Sequence, residues 1–241
     1  MIRAGIVGAH GKMGRAIQEA AKDVSITSLI DAGDDVVAGL VDCDVYIDFS
    51  TPAATLAAAR AAIELKRAAV IGTTGIPADV DAVIDQLARV APVVVAANFS
   101  LGVNLMLGLV KQAARALGAW DAEVVETHHN KKRDAPSGTA LAIAKAIAAG
   151  HGSVYESVKR HTRDGEIGAR PAGEIGVSTV RGGDVVGEHT AYFFGQAERI
   201  EISHRATSRS IFAVGSLVAA AWVVGKPPGR YTMLDVLGLP S

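Results

Sequence analysis

Apolar residues in the first hundred positions form two alternating kinds of run. Short β-branched stretches, IRAGIV, ITSLID, DVYIDFS, AAVIGTTG and PVVVAANFS, are separated by longer alanine-rich stretches, GRAIQEAAKD, ATLAAARAAIELKRA and VDAVIDQLARV, of helical composition. Strands alternating with helices predict βαβ units, a parallel sheet, and ligand-binding loops at the carboxyl ends of the strands. Three loops fall there: GAHGKMG, DFSTP and IGTTG. From Leu101 onward the pattern changes. A helix is predicted around Asn104 to Leu117, then a strand in AEVVETHH and a helix in SGTALAIAKAIAAG. From about Ser153 to Ser208 glycine turns break up short alternating runs, GEIGVSTVRGGDVVGEHTAYFFG and ERIEISHRATS, which predicts a mixed or antiparallel sheet. The run from Ile211 to Gly225 is apolar nearly all round and suits a buried helix returning to the first sheet. The expected fold class is therefore α/β: a Rossmann-like parallel-sheet domain of residues 1–99 and 210–241, discontinuous in sequence, and a second α+β domain with a mixed sheet at residues 100–209.

Composition narrows the function classes. With 241 residues, 49% of them hydrophobic, the chain can bury two modest cores. A formal net charge of -1 and a pI near 6.7 give no global field for nucleic acid or anionic lipid, so neither partner is expected. The most apolar run, holding Gly215 and Ser216, is short of the roughly 20 residues that cross a bilayer. MIRAGIVGAHG carries no secretory signal pattern, so cytoplasmic residence is expected. Cys43, the one cysteine, excludes an intramolecular disulfide framework and reads as inert packing.

The densest chemistry lies in THHNKKRDAPSGTAL, Thr127 to Leu141. It joins two imidazoles, His128 and His129, to three cations, Lys131, Lys132 and Arg133, and to a Ser-Gly-Thr turn at a helix start, where Pro136 fits the first turn. The N–H groups of Ser137, Gly138 and Thr139 would be unpaired donors at the positive end of that helix, a site for carboxylate or phosphate. Together these point to a small dianion. The bland reading is a solvated basic face with surface histidines. A metal site is not expected, because adjacent strand histidines point to opposite faces, no cysteine or HExxH accompanies them, and the neighbouring cations oppose a divalent ion. Glu126, two places before His128 on one strand face, could orient it or could equally face solvent.

A dinucleotide signal stands at the start of the chain. Gly8-Ala9-His10-Gly11-Lys12-Met13-Gly14 follows an apolar strand and opens a helix, the context of a phosphate-binding glycine loop, though its spacing is GxxGxxG and not GxGxxG. Asp31, at the end of ITSLID, can accept hydrogen bonds from an adenosine ribose. Its charge would repel a 2′-phosphate, which favours NADH, while Lys12 and Arg15 leave NADPH open. The alternative is a tight turn that merely permits helix packing.

With those residues in view, the chain resembles the dihydrodipicolinate reductase family of bacterial lysine and diaminopimelate biosynthesis. GAHGKMGR, DFSTP, IGTTG, AANFSLGVN, ETHHNKKRDAPSGTAL, TVRGGDVVGEHT and ERIEISHRATSR look like family segments in family order, and the resemblance runs essentially end to end. It implies NADH- or NADPH-dependent reduction of a cyclic imine dicarboxylate that has lost water, with hydride added at one ring carbon and a proton at its neighbour. It also implies a nucleotide domain built from both termini, a central substrate and oligomerisation domain, and a homotetramer. By the same resemblance His128 is a proton donor or acceptor and Lys132 a second catalytic donor that also binds substrate, while His129, Ser137, Gly138 and Thr139 hold the substrate carboxylates. Gly8, Ala9, His10, Gly11, Lys12, Met13, Asp31, Gly72, Thr73, Thr74, Ala96, Ala97, Asn98 and Phe99 surround the dinucleotide. Asp31 stands where some family members carry Glu followed by Arg, and the first hundred residues look shorter than in longer members. Two other functions fit parts of the pattern: a nicotinamide dehydrogenase of another small amino dicarboxylate, of aspartate type, and a non-catalytic dinucleotide sensor. The HHxxK and SGT pair argues against the first, and the lack of a DNA-reading element against the second. Arg160, His161 and Arg163 read as a polar loop, His189 and His204 as strand residues without catalytic work, and Trp120 and Trp222 as packing.

Overall fold

The computed structural model describes residues 1–240 and divides into two compact units, Met1–Leu101 with the chain from Ser210 onward, and Gly102–Arg209. The first unit begins with β1 (Ile2–Val7), α1 (Lys12–Ala20), β2 (Val24–Ile30), α2 (Val36–Leu40), β3 (Val45–Asp48), α3 (Pro52–Leu65), β4 (Ala68–Ile71), α4 (Ala78–Ala88) and β5 (Pro92–Val95). Next come α5 (Leu101–Leu117), β6 (Asp121–His128), α6 (Gly138–Gly150), α7 (Tyr155–Val158), β7 (Lys159–Arg160), β8 (Ile175–Arg181), β9 (Gly187–Phe194) and β10 (Arg199–Ala206). The chain ends with α8 (Ser210–Val223), β11 (Gly229–Tyr231) and α9 (Met233–Val236). No described helix is long and apolar enough to cross a membrane.

In the first unit six strands form a parallel sheet in the order β11-β5-β4-β3-β1-β2. Residues of β3 and β4 are buried on both faces, as a parallel sheet covered by helices requires. Alternate side chains serve two cores. Ile6, Ile47, Val70 and Val94 meet Ile17 of α1 and Ala213, Ala220 and Val223 of α8, while Val7, Tyr46, Ile71 and Val93 meet Ala58 and Ala62 of α3 and Ile84 and Leu87 of α4. Period-two alternation thus explains why runs that look uniformly apolar are strands. Helix α3 starts where Thr51 accepts a hydrogen bond from the Ala54 N–H and Pro52 occupies the first turn, and it stops at Lys66 in the left-handed region. Four short elements, α2, α7, β11 and α9, were not in the sequence expectation, because five residues or fewer carry too little periodicity to register, and α7 falls where a β region was expected.

The second unit holds a mixed sheet in the order β10-β9-β6-β8-β7. Pairs β6/β9 and β9/β10 run antiparallel, whereas β6/β8 and β7/β8 run parallel. One face is covered by Met106, Val110 and Ala114 of α5 and by Ile143, Ala144 and Ile147 of α6, which pack on Ala122, Val124, Ile175, Val177, Ala191 and Phe193. The opposite face leaves Val180 and Phe194 exposed, whereas Ile200, paired with Phe193, is exposed on the covered face where it runs out at the β10 edge. Along β6 the inward positions read Ala122, Val124, Glu126, His128, so the strand changes from apolar to ionisable on its buried face as it nears the start of α6.

Helix α8 runs so close to the segment between β5 and α5 that Gly215 has no room for a side chain: a Cβ there would lie 1.7 Å from the Phe99 carbonyl oxygen. Gly215→Ala is expected to shift the helix and lower stability by about 1–3 kcal/mol, the usual cost of overpacking a core. Urea denaturation of the two proteins measures it, and an unchanged midpoint would contradict the close approach.

Candidate functional site

The second unit gathers its ionisable residues where β6 ends and α6 begins. Glu126 is fully buried, and both carboxylate oxygens are occupied. Oε1 accepts from the Ser137 N–H at 3.0 Å, from Arg181 Nη2 at 2.8 Å and from Thr179 Oγ1 at 3.4 Å, while Oε2 accepts from Arg181 Nη1 at 2.8 Å and from His128 Nδ1. Burial pushes the Glu126 carboxyl up, but the hydrogen bonds from Arg181, His128 and the Ser137 amide together outweigh it and hold the group below its ordinary range. A carboxylate can only accept, so Nδ1 of His128 carries a proton and Nε2 is the atom left for chemistry. A Cβ on Gly187 would sit 3.0 Å from that Nε2, so the glycine makes room for the ring.

Beside it, His189 of β9 meets the His128 ring edge-on at 5.1 Å, and its Nε2 lies 3.1 Å from Ser137 Oγ. Burial above all, with the neighbouring His128 adding to it, pushes His189 down to about 4, so this imidazole is neutral at physiological pH. Ser137 caps α6 by accepting the Ala140 N–H at 3.1 Å. Two sequence expectations change here. Pro136 lies before the cap and not in the first helical turn. The Ser137 N–H is not an unpaired donor, because Glu126 takes it, and the side chain is sealed against His189 and the helix. The first turn itself begins with Gly138, exposed, and Thr139, half-buried.

Lys132 Nζ bonds Asp134 Oδ1 at 2.8 Å in the loop between the imidazoles and the helix cap, and Arg181 Nη2 donates to the Asp134 carbonyl at 2.9 Å. His129 is separate from the Glu126 cluster. Its Nε2 lies 3.3 Å from Arg209 Nη2, on a surface cleft lined by His129, Asn130, Lys131, Gly183, Asp184 and Arg209. Lys131 and Arg133 are exposed. Among the described residues no group of three or more His, Cys, Asp or Glu could hold a metal ion.

In the first unit the expected dinucleotide residues follow β1, β2, β4 and β5 at the carboxyl edge of the sheet. Gly8 adopts a positive φ of 79°, and its N–H donates to the Ile30 carbonyl at 2.8 Å. Gly14 admits no Cβ, which would meet the Gly8 oxygen at 2.3 Å. Gly11 caps α1 without a side-chain hydrogen bond, leaving Lys12 and Met13 to open the helix. This geometry, a left-handed glycine followed by a helix amino end packed against the turn, fits a dinucleotide phosphate. Ala9 is buried, and His10 joins Asp31 twice, through its main-chain N–H at 3.2 Å and Nδ1 at 2.5 Å. Gly72 faces Phe49, whose ring a Cβ would meet at 2.2 Å. Thr73 Oγ1 donates to buried Asp48 at 3.0 Å, and Thr74 is exposed. Ala96 and Ala97 leave β5, the Asn98 side chain accepts the Ser100 N–H at 2.8 Å, and Phe99 is a core residue set edge-on to Phe49. Phe99 can therefore offer a cofactor its backbone but not its ring.

Sequence reasoning missed Arg181, His189, Arg209, Gly187 and Asp48. For two of them a signal existed: His189 and Asp48 are polar residues at inward positions of otherwise apolar strands, which a period-two reading can flag. Arg209 lies outside any strand or helix and gives no such signal.

A doubly built molecule of this kind, one unit a parallel sheet with a glycine turn and the other a mixed sheet with a buried imidazole–carboxylate pair, belongs to the two-unit α/β oxidoreductase architecture. Comparison with known proteins narrows the class. The family described as "Dihydrodipicolinate reductase, N-terminus" matches residues 2–99, and "Dihydrodipicolinate reductase, C-terminus" matches residues 102–237. The chain belongs to the dihydrodipicolinate reductase family. A 4-hydroxy-tetrahydrodipicolinate reductase of Geobacter metallireducens is 45% identical over 265 residues, covering 99% of this chain and all of the relative. One from Anaeromyxobacter dehalogenans is 50% identical over 207 residues, covering 86% of this chain and 77% of the relative. The dipicolinate-bound dihydrodipicolinate reductase of Paenisporosarcina sp. TG-14 superposes with a TM-score of 0.80 at 26% identity, over 98% of each chain.

The buried site makes stability depend on pH with a definite sign. His189 binds a proton near about 6.5 when unfolded but only near about 4 when folded. Between those values the unfolded chain holds more protons, so stability present above pH ~6.5 is lost as pH falls towards 4. Glu126, also depressed, adds loss of the same sign further down. His151 and His204, lowered by burial, share it. Thermal melting from pH 7 to 4 should show a steady decline that is shallower in His189→Gln, and parallel profiles for the two proteins would remove His189 from the account.

Proposed function

We propose that this protein reduces 4-hydroxy-tetrahydrodipicolinate to tetrahydrodipicolinate with a reduced nicotinamide dinucleotide, in lysine and diaminopimelate biosynthesis. The observation that carries the reading is the Glu126–His128 pair set beside the mouth of α6 within the family segment ETHHNKKRDAPSGTA. When bound, the nicotinamide supplies the hydride. The chain's residues do the rest. Gly138 and Thr139, at the positive end of α6, and His129 bind the two substrate carboxylates. Ser137 contributes by capping the helix that presents those amides. Lys132, held by Asp134 before substrate arrives, exchanges that partner for substrate and places its cation where negative charge develops on the ring. His128 gives the proton from Nε2 while Glu126 holds Nδ1.

Gly8 to Met13, Asp31, Gly72 to Thr74 and the backbone from Ala96 to Phe99 hold the dinucleotide in this reading. NADH is favoured over NADPH because the Asp31 carboxylate opposes a 2′-phosphate. His10, paired with that carboxylate, tempers the preference without reversing it. The enzyme acts in the cytoplasm as a homotetramer. Support for assembly comes from the outward face of the second sheet, which exposes the large apolar side chains of Val180 and Phe194.

Nicotinamide oxidation followed with freshly prepared substrate and each cofactor tests the reading. Turnover with a higher kcat/KM for NADH is expected. His128→Gln should lower kcat by roughly 10²- to 10⁴-fold with little change in KM. No turnover with either cofactor would overturn the assignment, and a raised KM with kcat unchanged would restrict His128 to binding.

A further inference from the structure

We infer that Glu126, clamped by Arg181, is a positioning residue for this reaction: it fixes the tautomer and direction of His128 and sets that imidazole in register with the mouth of α6. The inference rests on the function proposed above and deepens it.

A fully buried carboxylate is costly unless each lone pair is used, and here the closest contacts each tie in a second group. One oxygen receives the Ser137 amide, the residue that caps the helix, and the other receives His128 Nδ1. The Arg181 fork spans both oxygens at 2.8 Å and reaches on to the Asp134 carbonyl at 2.9 Å, next to Lys132's partner side chain. The imidazole, the cationic loop and the helix mouth are thereby referenced to a single side chain. A purely structural ion pair would be complete with Arg181 alone. The His128 contact instead commits one ring nitrogen, and the missing side chain at Gly187 keeps space beside the other.

The charged and titratable groups facing His128 are Glu126 on its own strand, Arg181 on β8, His189 on β9, and the Lys132–Asp134 pair in the loop before α6. Of these, Glu126 is the one whose acceptor atom lies in hydrogen-bonding contact with the His128 ring, so it is the group that sets the ring's direction and tautomer. Neutralising it while keeping its shape should weaken the proton donor more than it weakens substrate binding.

The test uses the full-length enzyme. Glu126→Gln should lose about 10²-fold in kcat with KM for the substrate within a few-fold of wild type, and the alkaline limb of its kcat/KM profile should move to lower pH. NADH binding, followed by fluorescence, should be unchanged, and an unchanged circular dichroism spectrum reports that the fold of the second unit persists. A variant with the wild-type pH profile, whatever its kcat, would overturn the inference. Nitrogen NMR of the wild-type histidine rings, with His128→Gln for assignment, provides a readout that needs neither a stable Glu126 variant nor turnover. Above neutral pH His128 should carry its proton on Nδ1, and a proton on Nε2 would overturn the inference even if the reductase activity is found. Conversely, absence of wild-type turnover alongside an Nδ1 proton would strike the proposed function and leave the positioning by Glu126 standing.

Discussion

A carboxylate with no access to water, Glu126, is the constraint around which the second unit is arranged. Such a group survives burial only when charged or dipolar donors take the place of water, and the fold provides them from four directions: a guanidinium from β8, an imidazole from its own strand, an amide from the cap of α6, and a hydroxyl from Thr179. Satisfying the carboxylate fixes where β8, β6 and α6 meet. Displacing any one donor exposes the others to an unbalanced charge in a region of low dielectric, so the arrangement is stiff. That stiffness is what a proton donor needs, since small errors in placement are expensive in rate.

The first unit contains a second buried carboxylate, and the contrast is informative. Asp48, at the end of β3, accepts from the hydroxyls of Ser50, Thr55 and Thr73, all three of them neutral donors. Burial pushes its carboxyl up, and the three hydroxyl bonds recover only part of the shift. Neutral donors of this kind suffice to tie the DFSTP and IGTTG loops together but leave the acid poorly disposed to stabilise a neighbouring charge. Charged donors around Glu126 reverse the balance. Similar in burial, the two acids differ in what surrounds them, and that difference separates a loop clasp from an electrostatic partner.

Much of this was legible before any coordinates. The alternation of β-branched and alanine-rich runs specified the parallel sheet because each central strand is buried on both faces, and the shift to glycine-broken runs after residue 153 specified the mixed sheet. THHNKKRDAPSGTAL located the site because donors of several kinds are contiguous there. Residues that complete the site come from β8 and β9, some fifty positions further on, and they are brought in only by strand register: Glu126 stands opposite Thr179 on one side and His189 on the other. Register is a property of the pairing and not of either segment alone, so Arg181 and His189 could not be tied to His128 from one sequence. The role of Ser137 was misread for a related reason. An amide at a helix start looks vacant until the acceptor arriving from another strand is known.

The glycine turn shows the same limit at smaller scale. Spacing alone makes Gly8, Gly11 and Gly14 look equivalent, yet their duties differ. Gly8 is required by its backbone conformation and Gly14 by contact with the turn above it, while a Cβ at Gly11 would meet only the Gly8 oxygen at 3.1 Å. The middle glycine is therefore the least constrained of the three. Relative to GxGxxG the loop carries one extra residue between its first two glycines, so the two positions that geometry demands, Gly8 and Gly14, stand six residues apart. Asp31 is then presented beside His10 by the same turn, so the glycine loop also fixes where that carboxylate stands.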